Sequence, residues 1–254
     1  MNAWLRMGLC GMLCVGLLAT VPLRAWAQGY DLDENFPLRM EDAEVIGKGN
    51  FTFQGSLAYE LSREGEDLFE LEPVLQYGPL EKLELELASP FLLGDVDDRG
   101  SGDITASAQY KLTEAGRWMP SLAVKGALTF PSGTRSRGVD PSLKLLASWH
   151  LGDSGLHRVH VNGSWLRNTE PYADERKDGW LYLVGYSYRL NQNWIMLADI
   201  WRERTILTDE EINIAEAGLI YEFSDRLFMA VGAGGGFGDE SPEVRATTAF
   251  QLNF

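Results

Sequence analysis

Two pairs of side chains have types and spacings that could support chemistry. Glu84 and Glu86 lie two residues apart, which on a β-strand puts both carboxylates on one face, about 6.6 Å apart. That separation suits the acid pair of a glycosidase, but the surrounding Leu–Glu alternation explains both residues as the polar face of a strand. His157 and His160 are of a type that binds metals, yet a spacing of three residues turns them to opposite faces of a strand. The glutamate pair therefore does not predict a catalytic site, and the histidine pair does not predict a metal site.

The serines, histidines and glycines that could serve hydrolysis or phosphate binding also have simple structural explanations. A serine hydrolase needs a serine within hydrogen-bonding reach of a histidine, and the chain has three histidines, at positions 150, 157 and 160. The G-x-S-x-G pattern of a nucleophile elbow does not occur, and Ser164 in NGSW (162–165) is its nearest equivalent. The glycines from Gly232 to Gly238 lack the lysine and helix of a phosphate loop, so they indicate a strand kink or a close contact. The sequence predicts no catalytic residue and no cofactor.

The elements that carry these residues are β-strands. Apolar residues occupy every second position over 83–87, 103–112 and 244–254. Twelve such segments follow one another, most of them close to the roughly 9–11 residues that a tilted strand needs to cross a bilayer. They are residues 49–62, 67–77, 82–89, 103–112, 119–130, 141–151, 157–168, 179–190, 193–204, 210–223, 226–238 and 243–254. The predicted fold class is all-β, an antiparallel transmembrane β-barrel of about twelve strands.

The connections between these segments alternate in length. Counted from the first strand, the even-numbered links are often tight, while several odd-numbered links are longer, charged and rich in glycine. A soluble β-sandwich has no reason to alternate its loops in this way, whereas short turns at one rim and long loops at the other are typical of an outer-membrane barrel. Both termini and the short turns are then expected to face the periplasm. The tight links are 78–81, 191–192 and 224–225, and the long ones are 90–102, 131–140 and 169–178.

The N-terminus has the features of a secretory signal. Arg6 precedes an apolar run over residues 7–21, and the small-x-small sequence AWA closes the segment at Ala27. The run is shorter than the roughly 20 apolar residues of a membrane-spanning helix. We predict a signal peptide over residues 1–27, a periplasmic or lumenal extension over residues 28–48, and an outer-membrane barrel over residues 49–254.

Composition excludes several functions. Cys10 and Cys14 lie within the predicted signal peptide, so the mature chain has no cysteine for a disulfide or a thiol site. The whole chain carries 22 basic and 37 acidic residues, and removal of Arg6 and Arg24 leaves a net charge of 20 − 37 = −17. Such a charge would repel the phosphates of nucleic acid, which we therefore exclude as a partner.

A set of charged residues falls on the polar face of the predicted strands and is expected to line the lumen. They could form a charged pore lining that selects and steers solutes. They could equally form a network of opposite charges that fills the lumen, because buried charges must be paired. The predicted lumen-facing residues are Glu60, Glu70, Glu72, Glu84, Glu86, Lys111, Lys125, Lys144, Asp199, Glu216, Glu222 and Arg245, together with His150 and Arg189.

Aromatic residues lie mainly near the ends of the predicted strands, where a ring can sit in lipid and a polar tip in water. Tyr77, Trp149, Trp194, Trp201 and Tyr221 belong to this set. The interpretation as interfacial girdles accounts for the group better than packing in a core does.

The last strand ends on alternating apolar residues, Phe250, Leu252 and Phe254. A terminal aromatic after such alternation resembles the signal by which the barrel-assembly machinery recognises its clients. The simpler alternative is that Phe254 only anchors the strand at the interface. We predict that these three residues form an assembly signal, with outer-membrane lipid and the assembly machinery as partners.

Several short segments spread over most of the mature chain carry a family resemblance. They are residues 37–43 (PLRMEDA), 47–49 (GKG), 75–80 (LQYGPL), 101–104 (SGDI), 110–112 (YKL) and 130–134 (FPSGT). Together they resemble a family of bacterial outer-membrane proteins labelled for the MetA pathway of phenol degradation. The resemblance implies a barrel and, through the pathway, uptake of hydrophobic or aromatic compounds. It implies no catalytic or binding residues.

The function expected from these observations is passive passage of small molecules across the outer membrane, with hydrophobic or aromatic compounds as the class that the family implies. The chain is not expected to be an enzyme. Two alternatives remain: a structural or adhesion-type barrel without transport, and a lipid-modifying barrel enzyme. Conductance in planar bilayers separates them, because pores conduct whereas adhesins and enzymes need not.

Overall fold

The structure, a computed structural model, describes residues 32–94, 99–116, 118–134, 136–152, 155–208 and 210–254. The predicted signal peptide, residues 1–27, lies outside the described residues, as do the first residues of the predicted extension. Within the described ranges, no helix is both long enough and apolar enough to cross a membrane.

Fourteen β-strands form the regular structure of the described residues. They are β1 (Phe51–Leu61), β2 (Asp67–Leu80), β3 (Leu83–Ala88), β4 (Phe91–Gly94), β5 (Gly100–Ser101), β6 (Ile104–Thr113), β7 (Ser121–Phe130), β8 (Asp140–Leu151), β9 (His157–Arg167), β10 (Asp178–Arg189), β11 (Trp194–Arg204), β12 (Glu211–Ser224), β13 (Leu227–Gly236) and β14 (Val244–Asn253).

The strands close into one antiparallel barrel. β1 pairs with β2 on one side and with β14 on the other, which satisfies the backbone hydrogen bonds that lipid cannot. β3 and β4 both pair with β2, and β4 pairs in turn with β5, so β3–β4 and β5–β6 each form one interrupted traverse. The barrel therefore has twelve spanning strands, which confirms the predicted fold class.

Each of the twelve predicted segments corresponds to one traverse, but the prediction of a loop over residues 90–102 was partly wrong. β4 and β5 lie within that range and extend the barrel wall toward the long-loop rim. Pro90 interrupts the strand after Ala88 because proline has no N–H for the ladder. The alternation then resumes over only four residues, Phe91–Gly94, which is too few to be read from sequence.

Side chains alternate between the lumen and the outer surface, as the period-two pattern requires. In β3, Glu84 is 3% exposed, whereas its neighbour Leu85 is 42% exposed on the outer face. Leu145, Val184 and Val231 lie on the same outer face of other strands. The result is an apolar band around the barrel, which is the surface that lipid requires.

Trp201 is an exception to the predicted aromatic girdle. The structure turns its ring into the lumen, where the indole Nε1 donates a hydrogen bond of 2.7 Å to Glu216 Oε1. Its nearness to the end of β11 suggested a girdle position. It is separated by an even number of residues from Ile195 and Leu197, which are also buried inside. It therefore lies on the same inward face of the strand.

The outer face gives a direct test of the barrel. We expect Leu145→Arg to lower the free energy of unfolding by about 2–4 kcal/mol, because Leu145 is the sixth of the twelve residues of β8 and lies on its outer face, where an arginine would face hydrocarbon. Leu112→Arg, on the same face but near the end of β6, should cost about 1 kcal/mol or less, because its charge reaches the interface. Urea unfolding from lipid vesicles measures both variants, and equal losses would contradict the assignment of the membrane band.

Candidate functional site in the barrel lumen

An amphipathic segment of the N-terminal region lies inside the barrel, and we call residues 32–46 the lumenal plug. Its chain folds back on itself, because the Asn35 N–H donates to the Leu38 carbonyl and the Asp42 N–H donates to the Leu32 carbonyl, both at 2.8 Å. The second arm leaves the lumen where the Gly49 N–H bonds to the Gly78 carbonyl at 2.7 Å. That exit lies at the terminal rim, which we define as the rim where β1 begins and β14 ends.

The lumenal plug contacts every one of the twelve traverses. Polar and charged side chains of most traverses contact it, and close apolar approaches occur on β10, β12 and β13. The contacting wall residues are Gln54 on β1, Gln76 on β2, Glu84 on β3, Lys111 on β6, Lys125 on β7, Lys144 and Ser148 on β8, Arg158 and Asn162 on β9, Gly185 on β10, Asp199 on β11, Gly218 on β12, Gly232 on β13 and Arg245 on β14.

Glu41 is the centre of the charged contacts. Its side chain is 2% exposed, and its two oxygens accept hydrogen bonds from Lys125 Nζ and Lys144 Nζ, each at 2.7 Å. Lys125 also contacts Glu86 at 3.0 Å, and Lys144 also contacts Glu34. Each ammonium group therefore lies between a carboxylate pair, which compensates the cost of removing these charges from water.

Further ion pairs hold both arms of the lumenal plug. Asp42 lies 3.5 Å from Arg158, and Arg39 lies 3.1 Å from Glu34 and 3.3 Å from Glu203. Opposite charges thus meet across the lumen in the manner that a charge-filled interior requires.

The electrostatic surroundings of the plug carboxylates differ. Burial alone would raise the pKa of Glu41, but the ammonium groups of Lys125 and Lys144 hold it below its ordinary value. Burial likewise opposes the ionisation of Glu34, yet Lys144 and Arg39 lower its pKa. Asp33 is different, because burial and the nearby Glu86 carboxylate raise its pKa to about 7. Cations therefore stabilise the charged forms of Glu34 and Glu41, whereas Asp33 lies among other acids.

The opposite wall of the lumen is apolar. Leu32, Phe36, Leu38 and Met40 of the plug pack in one cluster with inward-facing residues of β10 to β14. Burial of such side chains contributes about 1.5–3 kcal/mol each. This cluster and the ion pairs therefore both keep the plug in the lumen. The wall residues of the cluster are Leu181, Leu183, Ile195, Leu197, Trp201, Ile214, Ile220, Ala230 and Ala249.

Two wall glycines make room for the plug. A β-carbon at Gly185 would lie 2.6 Å from Met40 Sδ, and one at Gly232 would lie 2.7 Å from Leu38 Cδ2. Both distances are shorter than van der Waals contact. The glycines on β10 and β13 therefore allow the close approach of the plug to the apolar wall.

All fourteen residues that the sequence placed on the lumen face occupy inward positions of their strands. Lys125, Lys144 and Glu86 meet around Glu41, and Arg245 joins Glu60 and Glu216 at 2.9 Å each. Lys111 pairs with Glu44, and the Asp199 carboxylate accepts the Met40 N–H at 2.9 Å. Glu222 is remote from the plug and pairs with Arg189 at 2.9 Å. The others, Glu70, Glu72, Glu84 and His150, lie on β2, β3 and β8.

Two of the histidines weighed for catalysis have structural partners. His160 is fully buried, and its two ring nitrogens bond to the hydroxyls of Ser148 and Ser187 at 3.0 and 2.9 Å. His157 faces outward and stacks on Tyr188 with ring centroids 4.3 Å apart. The two histidines do lie on opposite faces of β9.

Beside the plug, toward the long-loop rim, the lumen retains a cavity of about 210 Å³. Five carboxylates and three cationic groups line it, so its charge is predominantly negative. These groups are Asp33, Glu34, Glu70, Glu72, Glu86, Arg39, Lys125 and Lys144. Such a lining attracts small cations more strongly than anions.

The sequence of this chain matches the profile of a family described as "Putative MetA-pathway of phenol degradation" over residues 43–254. The chain belongs to this family. The match begins within the lumenal plug and includes every strand of the barrel, so the resemblance of the short segments is confirmed. No curated protein matches the sequence significantly.

Solved structures that resemble this MetA-pathway family member include an outer membrane channel, a porin and a transporter. An outer membrane channel from Pseudomonas putida F1 has a TM-score of 0.65 at 15% identity, over 88% of this chain and 100% of that one. The NanC porin has a TM-score of 0.58 at 8% identity, over 80% and 98%. The Ralstonia pickettii toluene transporter TbuX has a TM-score of 0.51 at 9% identity, over 82% and 90%. At these identities the likeness establishes the porin-like barrel fold and not a solute.

The plug residues were missed as functional candidates in this MetA-pathway chain. The sequence identified Lys125 and Lys144 but not their partners Glu34 and Glu41, because no strand pattern includes the N-terminal region. It identified neither Arg158 nor its partner Asp42. A signal was present, since Leu38 and Met40 alternate with Arg39 and Glu41. That alternation fits an extended segment between an apolar and a charged wall.

Proposed function

We propose that this barrel is a passive outer-membrane channel whose flow is controlled by displacement of the lumenal plug. The observation that carries the proposal is that residues 32–46 contact all twelve traverses of a barrel with a channel fold. Only hydrogen bonds, ion pairs and apolar contacts bind the described plug to the wall, and it is covalently continuous with β1 through residues 47–50. Such a segment can leave the lumen while the barrel stays intact.

The cavity beside the plug supports the proposal that small polar or cationic solutes pass while the plug is docked. Its carboxylates outnumber its cationic groups by five to three, which favours cations electrostatically. Hydrophobic or aromatic solutes, the class that the family description suggests, would require the apolar wall of β10 to β14. The plug covers that wall, so we propose that such compounds pass only when the plug is displaced.

A reversible crosslink tests the control by the plug. The Ala43 N–H lies 3.1 Å from Ser148 Oγ, which brings the two backbones close enough for an A43C/S148C disulfide, and residues 28–254 contain no other cysteine. Under oxidising conditions we expect single-channel recordings to lose the large openings and to keep only the small cation conductance of the plugged state. A reductant should restore the large openings to the level of the A43C single variant, which cannot form the crosslink.

The recordings distinguish the alternatives. Equal conductance of the oxidised and reduced double variant would show that solutes pass beside a fixed plug. Silence of the wild type and of a plug-deleted barrel in every condition would contradict a channel. That result would instead favour an adhesion-type barrel or a barrel enzyme. Uptake of toluene and of a small amine into liposomes then compares the two solute classes.

We also infer that the chain is exported by a cleaved signal peptide and recognised by the barrel-assembly machinery through its last strand. Phe250 and Leu252 face outward on β14, and Phe254 directly follows that strand. The Phe250 ring covers Gly55 of β1, and Phe254 is 70% exposed beside Phe51, with ring centroids 5.9 Å apart. This exposed terminal ring is available to a recognition partner.

Deletion of Phe254 separates recognition from anchoring. We expect outer-membrane abundance to fall severalfold, while refolding into detergent stays close to wild type, because Phe254 lies beyond the last strand and the remaining outer residues still bind lipid. Immunoblots of membrane fractions and refolding yields measure the two effects. Phe51→Ala, which removes the facing ring, is the matched control. Normal abundance of the deleted form would exclude the recognition role.

A further inference from the structure

Three carboxylates from two separate segments meet at one point of the lumen. Asp33 comes from the plug, and Glu84 and Glu86 come from successive inward positions of β3. One oxygen from each carboxylate lies within 4.8 Å of the other two. The wall and the plug therefore share an acidic cluster that neither forms alone.

Two buried amide oxygens accompany the cluster. Gln76 lies opposite Glu86 in the β2–β3 register and is fully buried. Its Nε2 donates to Asp33 Oδ1 at 2.8 Å, while its Oε1 has no hydrogen-bond partner. Gln109 lies opposite Glu84 in the β3–β6 register, and its buried Oε1 is also without a partner. Leaving a buried carbonyl oxygen unsatisfied is costly, and both oxygens are ligands that a hard cation accepts.

The protein's own donors do not neutralise this cluster. Glu84 accepts the Ile46 N–H at 2.9 Å, and Glu86 accepts Lys125 Nζ at 3.0 Å and Ser107 Oγ at 3.4 Å. Asp33 accepts the amide groups of Gln54 and Gln76. Lys125 is the single cation in these contacts and also binds Glu41, so the three carboxylates retain excess negative charge.

We propose that Asp33, Glu84 and Glu86, with the amide oxygen of Gln76, bind a divalent hard cation of the calcium class. Calcium takes oxygen ligands at about 2.3–2.6 Å, so ligand oxygens around one ion lie within about 5 Å of one another, and the three carboxylate oxygens here lie within 4.8 Å of one another. Magnesium, with ligands at about 2.0–2.1 Å, requires a tighter arrangement. Asp33 and Glu86 also line the lumenal cavity, which gives the ion access from the long-loop rim.

The bound ion has a structural consequence that does not depend on transport. Because Asp33 is the only one of the three carboxylates that the plug supplies, the ion joins the first arm of the plug to β3. Calcium should therefore stabilise the docked plug, and its removal should loosen residues 32–46 without unfolding the barrel.

Calorimetry on the folded, full mature protein in detergent tests the site. After treatment with EDTA and its removal, titration with calcium chloride should show one binding site per chain, and magnesium chloride should bind more weakly. Glu84→Gln should weaken calcium binding by about tenfold or more, because it removes a charged ligand. Glu70→Gln is the matched control, because it removes one carboxylate from the same cavity but outside the cluster.

Hydrogen exchange provides an independent readout. Calcium should slow exchange of residues 32–46 in the wild type and in Glu70→Gln but not in Asp33→Asn, a plug variant that leaves the barrel strands unchanged. Absence of calcium binding, or an equal loss in Glu84→Gln and Glu70→Gln, would overturn the site. Binding without protection of the plug would also overturn it, because the ion would then lie elsewhere on the protein.

Discussion

Deletion of residues 32–46 is expected to raise single-channel conductance roughly fivefold or more, because a barrel of twelve strands has an interior wider than its own wall side chains fill. In the intact protein the lumenal plug contacts all twelve traverses and leaves a cavity of about 210 Å³. Planar-bilayer recordings of the deleted and intact proteins measure the change. The deleted channel should also admit larger solutes in liposome-swelling assays.

The control must show that the barrel survives the deletion. Removal of residues 170–173, in the long loop after β9, shortens the chain outside the lumen and should leave the conductance unchanged. Heat-modifiable mobility on gels and the circular dichroism of β-structure should be retained in both variants. A deleted barrel that is folded but conducts no more than the intact protein would show that the lumen is closed by something other than the plug.

The second large effect is expected for Glu41→Gln. The Glu41 carboxylate lies between the ammonium groups of Lys125 and Lys144, at 2.7 Å from each. Its removal leaves two neighbouring buried cations with one carboxylate fewer, and breaking a buried ion pair in this way costs about 3 kcal/mol. Because hydrogen bonds, ion pairs and apolar contacts hold the plug, the loss should appear as a weaker docking equilibrium, by roughly 100-fold.

Hydrogen exchange over residues 32–46 measures this equilibrium. Glu44→Gln is the matched control, because it removes a plug carboxylate at the edge of the lumen, where Lys111 keeps Glu114 as a second partner. A partly exposed pair of this kind contributes about 1 kcal/mol or less. Equal exchange in the two variants would show that the central ion pairs do not hold the plug.

The barrel itself could be predicted from sequence because lipid and lumen impose opposite chemistry on alternate residues. In β3 the alternation of Leu85 and Leu87 with Glu84 and Glu86 identifies both faces without knowledge of any partner. The prediction failed where other constraints act. Pro90 interrupts a traverse and conceals β4, and Trp201 lies inside because Glu216 and the apolar wall bind its two ends.

The contents of the lumen could not be predicted in the same way. Lys125 and Lys144 share the partner Glu41, which lies 84 and 103 residues away from them in sequence. No local pattern encodes such a pairing. The acidic cluster shows the same limit. Glu84 and Glu86 could be assigned to one strand face, but Asp33 approaches them only because the plug turns back inside a closed barrel.

The turn of the plug also gives the molecule a mechanical polarity. Asn35 and Leu38 form the tip, while both arms run toward the terminal rim, with Leu32 beside Asp42 and Ile46 close to the exit. Tension applied to Leu32 from the terminal side would peel the first arm away before it loaded the ion pairs of Glu41. A force from the long-loop side would meet the tip and compress the folded segment against its own return arm. The lumenal plug should therefore be released more easily by a pull from the terminal rim than by a push from the long-loop rim.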